Sequence, residues 1–250
     1  MLHQEYRTMH AQELSHWWFR GRRRLLTELV HRHVLNGRPR PRLLDFGCGT
    51  GGNVATLAAM GEVIGLEPDP GAVELARSRG GALYCRGSGT ALPFASESFD
   101  GVVASDVLEH IGDDSSAVGE ILRVLRPGGK LVFTVPAHPW LYARHDAALL
   151  HHRRYTRRSL RALIQQSGLR LEWLSYWNAI LFPAVCAFRL IGQLRGDTGV
   201  QSDIGSTPLG LNEPLTAVLG LEARALRYVP LPWGVSLVGI ASRTGSSASS

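Results

Sequence analysis

The sequence predicts an α/β chain built on a doubly wound seven-strand sheet, and three observations carry that prediction. From about residue 42, short apolar runs alternate with segments whose apolar residues recur at helical spacing. The junction between the first run and the following helix is glycine-rich, DFGCGTGGN over residues 45–53. The second run ends on an acid, Glu67, 20 residues after Gly47. Strands alternating with helices imply a parallel sheet with helices on both faces.

Each element has a local reason. RLLDFG is a short apolar run that stops at glycines, and GNVATLAAMG sets Val54, Leu57 and Ala58 on one helical face before Gly61. EVIGLEP reads as the second strand. Asp69-Pro70 is an N-cap followed by proline at the first helical position, and the helix runs to Gly80-Gly81. ALYCRG and SFDGVVASDV are the third and fourth strands. DDSSAVGEILRVLRPGG opens on capping residues, aligns Val118, Ile121, Leu122 and Leu125, and is expected to end at Pro127-Gly128-Gly129. KLVFTVPA is the fifth strand, and YTRRSLRALIQQSG places Leu160, Leu163 and Ile164 on one face. LRLEWLSYWN and GVSLVGIASR complete the set.

Residues 1–40 read as a helical N-terminal extension that acts as a lid. Residues 41–177 with 233–243 form the ligand-binding core. Residues 178–232 form an insertion of two apolar helices joined by the polar loop GDTGVQSDIGSTP, and 244–250 read as a disordered tail. Leu215, Val218, Leu219 and Leu226 suggest a buried stripe within the insertion. Three roles for the insertion stay open: an acceptor roof, a homodimer contact, or a surface lying on a membrane.

Composition excludes several classes. Of 250 residues, 44% are hydrophobic and 19% charged, which supports a packed core and argues against global disorder. Three scattered cysteines, Cys48, Cys85 and Cys186, make neither a disulfide framework nor a metal-site spacing, and a reducing cytoplasm is the expected location. The longest apolar run, residues 179–188, is 10 residues and holds a proline, where a spanning helix needs about 20. The net charge of +6 is uneven: residues 1–44 carry nine basic and three acidic side chains, 45–135 carry six and 12, and 136–170 carry seven and one. Arginines on solvated helix faces account for the basic segments, and no aromatic–basic alternation points to nucleic acid.

The glycine junction holds the chemistry. Gly47, Gly49 and Gly52 match GxGxxG, a dinucleotide fingerprint, and Glu67 stands where an acid grips ribose hydroxyls. Asp45 argues against a dinucleotide, because a carboxylate aimed into that loop would repel a pyrophosphate. S-adenosylmethionine instead offers an ammonium and a sulfonium, both cationic. Asp-x-Gly-x-Gly-x-Gly (Asp45, Gly47, Gly49, Gly51) suits such a ligand, and the glycines let backbone approach it closely.

With DFGCGTGG, IGLEPDP, TALPFASESFDGVVASDVLEHI and ILRVLRPGGKLVF, the chain resembles class I S-adenosylmethionine-dependent methyltransferases of the bacterial methyltransferase type-11 group, over roughly residues 40–135. HWWFRGRR, HDAALLHHRRYTRRSL and PLPWGVSLVGIASR resemble a narrower subset that acts on small metabolites or glycan precursors. The resemblance implies that Asp45 and the loop Gly47, Cys48, Gly49 and Gly51 hold the methionyl end, Glu67 chelates the ribose, and Pro68 packs on the adenine. Ser88 stands where the family often has an aspartate for the adenine amino group, so backbone at Gly89 would share that contact. Ser105 and Asp106 would lie beside the sulfonium, with His110 in the same pocket. S-adenosylhomocysteine would be the product.

Methyl transfer needs closeness and alignment above all, and a base only where the acceptor must lose a proton. Candidate bases follow the fourth and fifth strands, at the carboxyl edge where ligands bind in open α/β sheets: His110, His138, His145, Asp146, His151, His152 and Tyr155. The resembling subset places a histidine before Arg-Arg-Tyr, which selects His151 as base, with Asp146 orienting it, and Tyr155 completes the catalytic group by binding, with Arg154, an anionic or hydroxylated acceptor. Arg154, His138 and His145 would bind the acceptor, and Trp17, Trp18 and Arg20 would close over it, since aromatic faces attract a cation. Asp106-x-x-Glu109-His110 has an acid-x-x-Glu-His pattern that binds a divalent ion in some methyltransferases, but no metal is expected. The reading is methyl transfer to an O or N atom of a small metabolite in secondary-metabolite or glycan-precursor biosynthesis. The alternatives are an RNA or protein methyltransferase, a non-catalytic S-adenosylmethionine-binding module, and a nicotinamide dehydrogenase that Asp45 disfavours.

Overall fold

A computed structural model describes residues 3–35, 37, 39–194 and 210–245. All seven expected strands are present: β1 (Arg42–Phe46), β2 (Glu62–Glu67), β3 (Leu83–Arg86), β4 (Phe99–Ser105), β5 (Leu125–Pro136), β6 (Arg170–Trp177) and β7 (Ser236–Ser242). They form one sheet in the order β3-β2-β1-β4-β5-β7-β6. The described helices are α1 (His3–Gln12), α2 (Trp17–Val30), α3 (Val54–Ala58), α4 (Pro70–Arg79), α5 (Asp114–Val124), α6 (Arg144–Ala148), α7 (Arg157–Gln166), α8 (Phe182–Leu194) and α9 (Asn212–Ala225). Among the described residues, no helix is long and apolar enough to cross a membrane. The loop expected at 196–208 lies outside the described residues, as does most of the expected tail.

Side chains alternate across the sheet, so each strand feeds two cores. Leu44, Phe46, Val102 and Phe133 meet Val118, Ile121, Leu160 and Ile164 on one face. Leu43, Val103, Val132 and Ile240 meet Leu25, Leu26, Val30 and Leu219 on the other.

Three features depart from the sequence reading. First, α5 ends at Val124 rather than at the Pro127–Gly129 turn, and Leu125 already pairs with Phe99. Proline at 127 disfavours helix in the residue before it, and the strand takes over earlier. Second, the sheet is mixed. Strand β7 runs antiparallel to both β5 and β6. The chain leaves β6 at Trp177 and re-enters β7 at Ser236, which are register partners. The insertion therefore starts and ends at the carboxyl edge of the sheet, so β7 has to run backwards.

Third, the extension and the insertion form a single layer. Helix α9 packs along α2, where Gly21 permits it: a Cβ there would lie 2.5 Å from Leu219 Cδ1. Leu219 and Leu226 of the expected stripe are buried and Leu215 and Val218 half-buried. The Trp17 amide donates to Asn212 Oδ1 (2.9 Å), Arg20 Nη2 bonds Glu213 Oε2 (3.0 Å), and Arg227 Nη2 bonds Glu28 Oε2 (2.6 Å). Glu222 of α9 is 3% exposed and accepts from the amides of Ala179 (2.9 Å) and Ile180 (2.8 Å), anchoring the approach to α8.

Candidate active site

A cavity of about 750 Å³ opens at the carboxyl edge of β1, β2, β4 and β6. Its floor is the loop after β1. Gly47 has φ +71° and faces the Val107 side chain so closely that a Cβ would collide with it. The Cys48 amide donates to Leu66 O (2.9 Å), tying the loop to the end of β2.

Glu67 is 5% exposed, and its carboxylate gathers three donors. The Gly49 amide reaches Oε2 (3.1 Å), while the Asp69 amide (3.2 Å) and the Tyr6 hydroxyl (3.0 Å) reach Oε1. Burial still raises its pKa. Tyr6 comes from α1, which lies over the glycine loop. The next residues on that path do the same. The Glu13 carboxylate stands over Gly52, accepts from Thr50 Oγ1 (2.7 Å) and pairs with Arg79 (3.0 Å).

Asp45 sits directly behind the loop, 1% exposed, with Oδ2 lacking a hydrogen-bond partner among the described residues. Burial pushes its carboxyl up to about 7, against the pull of Arg22. Arg22 reaches in from α2 and donates to Asp106 Oδ2 (2.7 Å). Asp106 has φ +51°, and Thr134 Oγ1 donates to its Oδ1 (3.0 Å).

The other end of the cavity is organised by Asp146, which is fully buried. Its Oδ1 meets His151 Nδ1 (2.9 Å) and Arg154 Nε (2.8 Å), and its Oδ2 meets Arg189 Nη1 (3.1 Å) and the Ala143 amide (3.0 Å). Burial raises the carboxyl, but the His151 hydrogen bond and the arginines outweigh it and hold the pKa well below the ordinary value. His151 and His110 meet edge to face with ring centroids 4.5 Å apart. Burial and His151 lower the His110 pKa to about 3, so that ring is neutral at pH 7. Glu109 is fully buried with both carboxylate oxygens unpartnered among the described residues. Burial, then the charge of Asp106, raises its pKa well above the ordinary range.

The depressed Asp146 carboxyl has a consequence for stability. A carboxyl with a lowered folded pKa stabilises the fold above its unfolded value of about 3.9, and that stabilisation is lost as pH falls below it. Asp146→Asn leaves two buried arginines uncompensated and is expected to cost about 3–5 kcal/mol at pH 7 in urea unfolding. The gap between variant and parent should narrow as pH falls below about 4, where the unfolded parent chain takes up a proton that the folded carboxyl does not.

The structure brings most of the expected donor-site residues to one wall. Gly47, Cys48, Gly49, Glu67 and Pro68 line the cavity, as do Gly89, Ser105, Asp106 and His110. Trp17, Trp18, His151 and Arg154 line its other side. Others stand elsewhere. Gly51 packs against Ala76 and the Tyr84 hydroxyl, behind the loop. Ser88 bonds Thr90 (2.9 Å) in an exposed turn. Arg20 is engaged with Glu213 on α9. His138 Nε2 lies 3.0 Å from Gly234 O, and its ring stacks on Tyr176. The Tyr155 hydroxyl donates to Asp114 (2.7 Å) and is not part of the cavity lining, so its expected contact with an acceptor is corrected. The His145 side chain lies outside the described residues. Tyr6, Glu13, Arg22 and Asn178 line the cavity without having been singled out by sequence. Their sole sequence signal is a polar residue on an otherwise amphipathic helix, or an asparagine at a strand end.

This wall combines a glycine cradle that a side chain would fill, a buried acid at the end of β2, and a buried carboxylate oxygen behind the loop with no partner among the described residues. The sheet order is that of the Rossmann-like fold shared by class I S-adenosylmethionine-dependent methyltransferases. Residues 44–133 match a family described as a methyltransferase domain. An uncharacterized methyltransferase of Mycobacterium sp. (strain JLS) is 34% identical over 163 residues, covering 56% of this chain and 64% of that relative. The chain therefore spans slightly less than two thirds of that relative's length. Among solved structures, an S-adenosylmethionine-dependent methyltransferase of Methanosarcina mazei aligns with TM-score 0.58 at 16% identity, over 87% of this chain and 97% of that one. The [4+2]-cyclase SpnF aligns with TM-score 0.59 at 21% identity, over 88% and 80%. At these identities the likeness is one of fold, and a fold does not name a reaction.

Proposed function

We propose that the chain transfers a methyl group from S-adenosylmethionine to an O or N atom of a small metabolite, in secondary-metabolite or glycan-precursor biosynthesis. One observation carries this reading: a histidine–aspartate pair, His151 and Asp146, shares a cavity with the glycine loop and Glu67. When bound, S-adenosylmethionine supplies an electrophilic methyl group on a sulfonium. Asp45 and the loop hold its methionyl end, Glu67 its ribose, and Pro68 its base.

His151 accepts the proton that the acceptor loses. Asp146 at Nδ1 fixes the ring's tautomer and makes Nε2 the basic nitrogen. Arg154, fixed by Asp146 and by Ala137 O (3.0 Å), keeps that carboxylate charged. Helix α8 serves as the acceptor roof, since Leu181, Ala184 and Val185 face the cavity.

The reading is metal-independent. Glu109, His110 and His151 offer ligand atoms within 4.8 Å of one another. However, Asp106, the first acid of the acid-x-x-Glu-His pattern, is committed to Arg22 and Thr134. The test is release of S-adenosylhomocysteine across a panel of hydroxylated and amino metabolites after dialysis against a chelator. Turnover of at least one acceptor, unchanged by the chelator, is expected. Donor binding without turnover of any acceptor would favour a non-catalytic binding module.

A further inference from the structure

At the end of β6 stands Asn178, a residue that no step above uses. It is 1% exposed and adopts φ +59°, a left-handed conformation uncommon outside glycine. It lines the cavity, yet its Oδ1 has no hydrogen-bond partner among the described residues. Buried polar atoms are nearly always paired, and an orphan held in a strained backbone points to a missing ligand. The surrounding fold holds that backbone firmly. Asn178 O accepts from the Val235 amide (3.3 Å), and Gly234 packs against the Trp177 backbone with no room for a side chain.

The surroundings of this amide are apolar. Leu181, Ala184, Val185 and Phe188 continue along the same wall, with Trp18 opposite, its ring 5.0 Å from that of Trp177. Arg154 and Arg189, the cations on that side, are both bound to Asp146. The wall ends at Phe188, which lines the cavity and is 68% exposed. A body entering there meets carbon on its sides, one neutral side-chain amide, and no uncommitted charge among these residues.

We infer that Asn178 and the cavity face of α8 form the acceptor subsite, and that the acceptor is a neutral hydroxyl-bearing hydrophobe whose hydroxyl oxygen accepts from the Asn178 side-chain amide, leaving its proton for His151, while its apolar chain leaves past Phe188. The inference rests on the acceptor reading above and names its substrate class. A charged acceptor would lose its hydration against this wall without gaining a partner.

The test uses 4-alkylphenols, from ethyl to octyl, titrated calorimetrically into the full chain with and without saturating S-adenosylhomocysteine. Affinity should rise about fourfold for each added methylene over the first members, the value of burying a CH₂. Asn178→Gly, which tolerates the same φ, should weaken every member about tenfold without changing that slope, as expected for one lost hydrogen bond. Phe188→Ser, at an exposed position that the fold can spare, should flatten the slope for the longer members alone. Neither variant should alter S-adenosylhomocysteine affinity. A flat series, equal binding of 4-alkylbenzoates, or an Asn178→Gly loss shared by S-adenosylhomocysteine would overturn the subsite. Failure of S-adenosylhomocysteine to bind while the phenol slope persists would instead overturn the donor reading.

Discussion

Glutamine in place of His151 is expected to lower kcat by about 10²–10⁴-fold, the usual contribution of a general base, while donor affinity is retained. The argument is geometric. His151 lines the cavity, and its Nδ1 is fixed by a fully buried carboxylate at 2.9 Å. The same carboxylate is held by Arg154 and Arg189 on other elements, so the ring has little freedom to turn. His110 stands against it as a neutral ring, because burial and His151 push its pKa down to about 3. On the proposed reading, proton removal falls to the His151 imidazole. An acceptor that reacts as a preformed carboxylate needs no base, and in that case the variant would keep its turnover.

The second large effect concerns donor binding. Glu67→Gln is expected to weaken S-adenosylmethionine and S-adenosylhomocysteine alike by about 100-fold, because two charge-assisted hydrogen bonds to a ribose diol are each worth about 1.5–3 kcal/mol. Tyr6 provides the control. Its hydroxyl donates to Glu67 Oε1 at 3.0 Å, the same atom that a ribose hydroxyl would use. Tyr6→Phe removes that donor and keeps the ring, so donor affinity should not fall. Asp45 adds a pH signature. Burial raises its carboxyl to about 7, so protons compete with a cationic ligand below that pH. Affinity for S-adenosylmethionine should therefore climb as pH rises through about 7 and level off above it. Asp45→Asn should be weak at every pH and flat across the range. Equal affinity of parent and both acid variants, read by calorimetry, would remove the donor assignment.

Much of the donor side was legible in the sequence. The strand–loop–helix at residues 42–58 and the strand ending at Glu67 are contiguous, and their geometry follows from glycine freedom, an apolar run and a cap. Asp69 does cap α4 through the Ala72 amide at 2.9 Å, as the Asp-Pro pair predicts. Thr156 caps α7 in the same way through Ser159. The helix after β4 was read too long, since the local pattern of α5 continued smoothly into residues whose pairing with Phe99 is set elsewhere. The motif suggests Tyr155 as an acceptor-binding residue, yet Asp114, 41 positions away, holds its hydroxyl. Tyr6, Glu13 and Arg22 reach the donor site through α1 and α2, and nothing in their spacing says that those helices fold over the glycine loop.

Taken alone, the sequence determined the sheet, the glycine cradle and its two acids, because each depends on residues close together along the chain. Tertiary structure decided the other end of the cavity. There Asp146, His151, Asn178 and Arg189 converge from separate elements because β7 is reversed and the insertion returns to the carboxyl edge. That convergence is stabilised by apolar burial between α2 and α9 and by a buried carboxylate serving several partners, and such long-range energies leave no local periodicity to read.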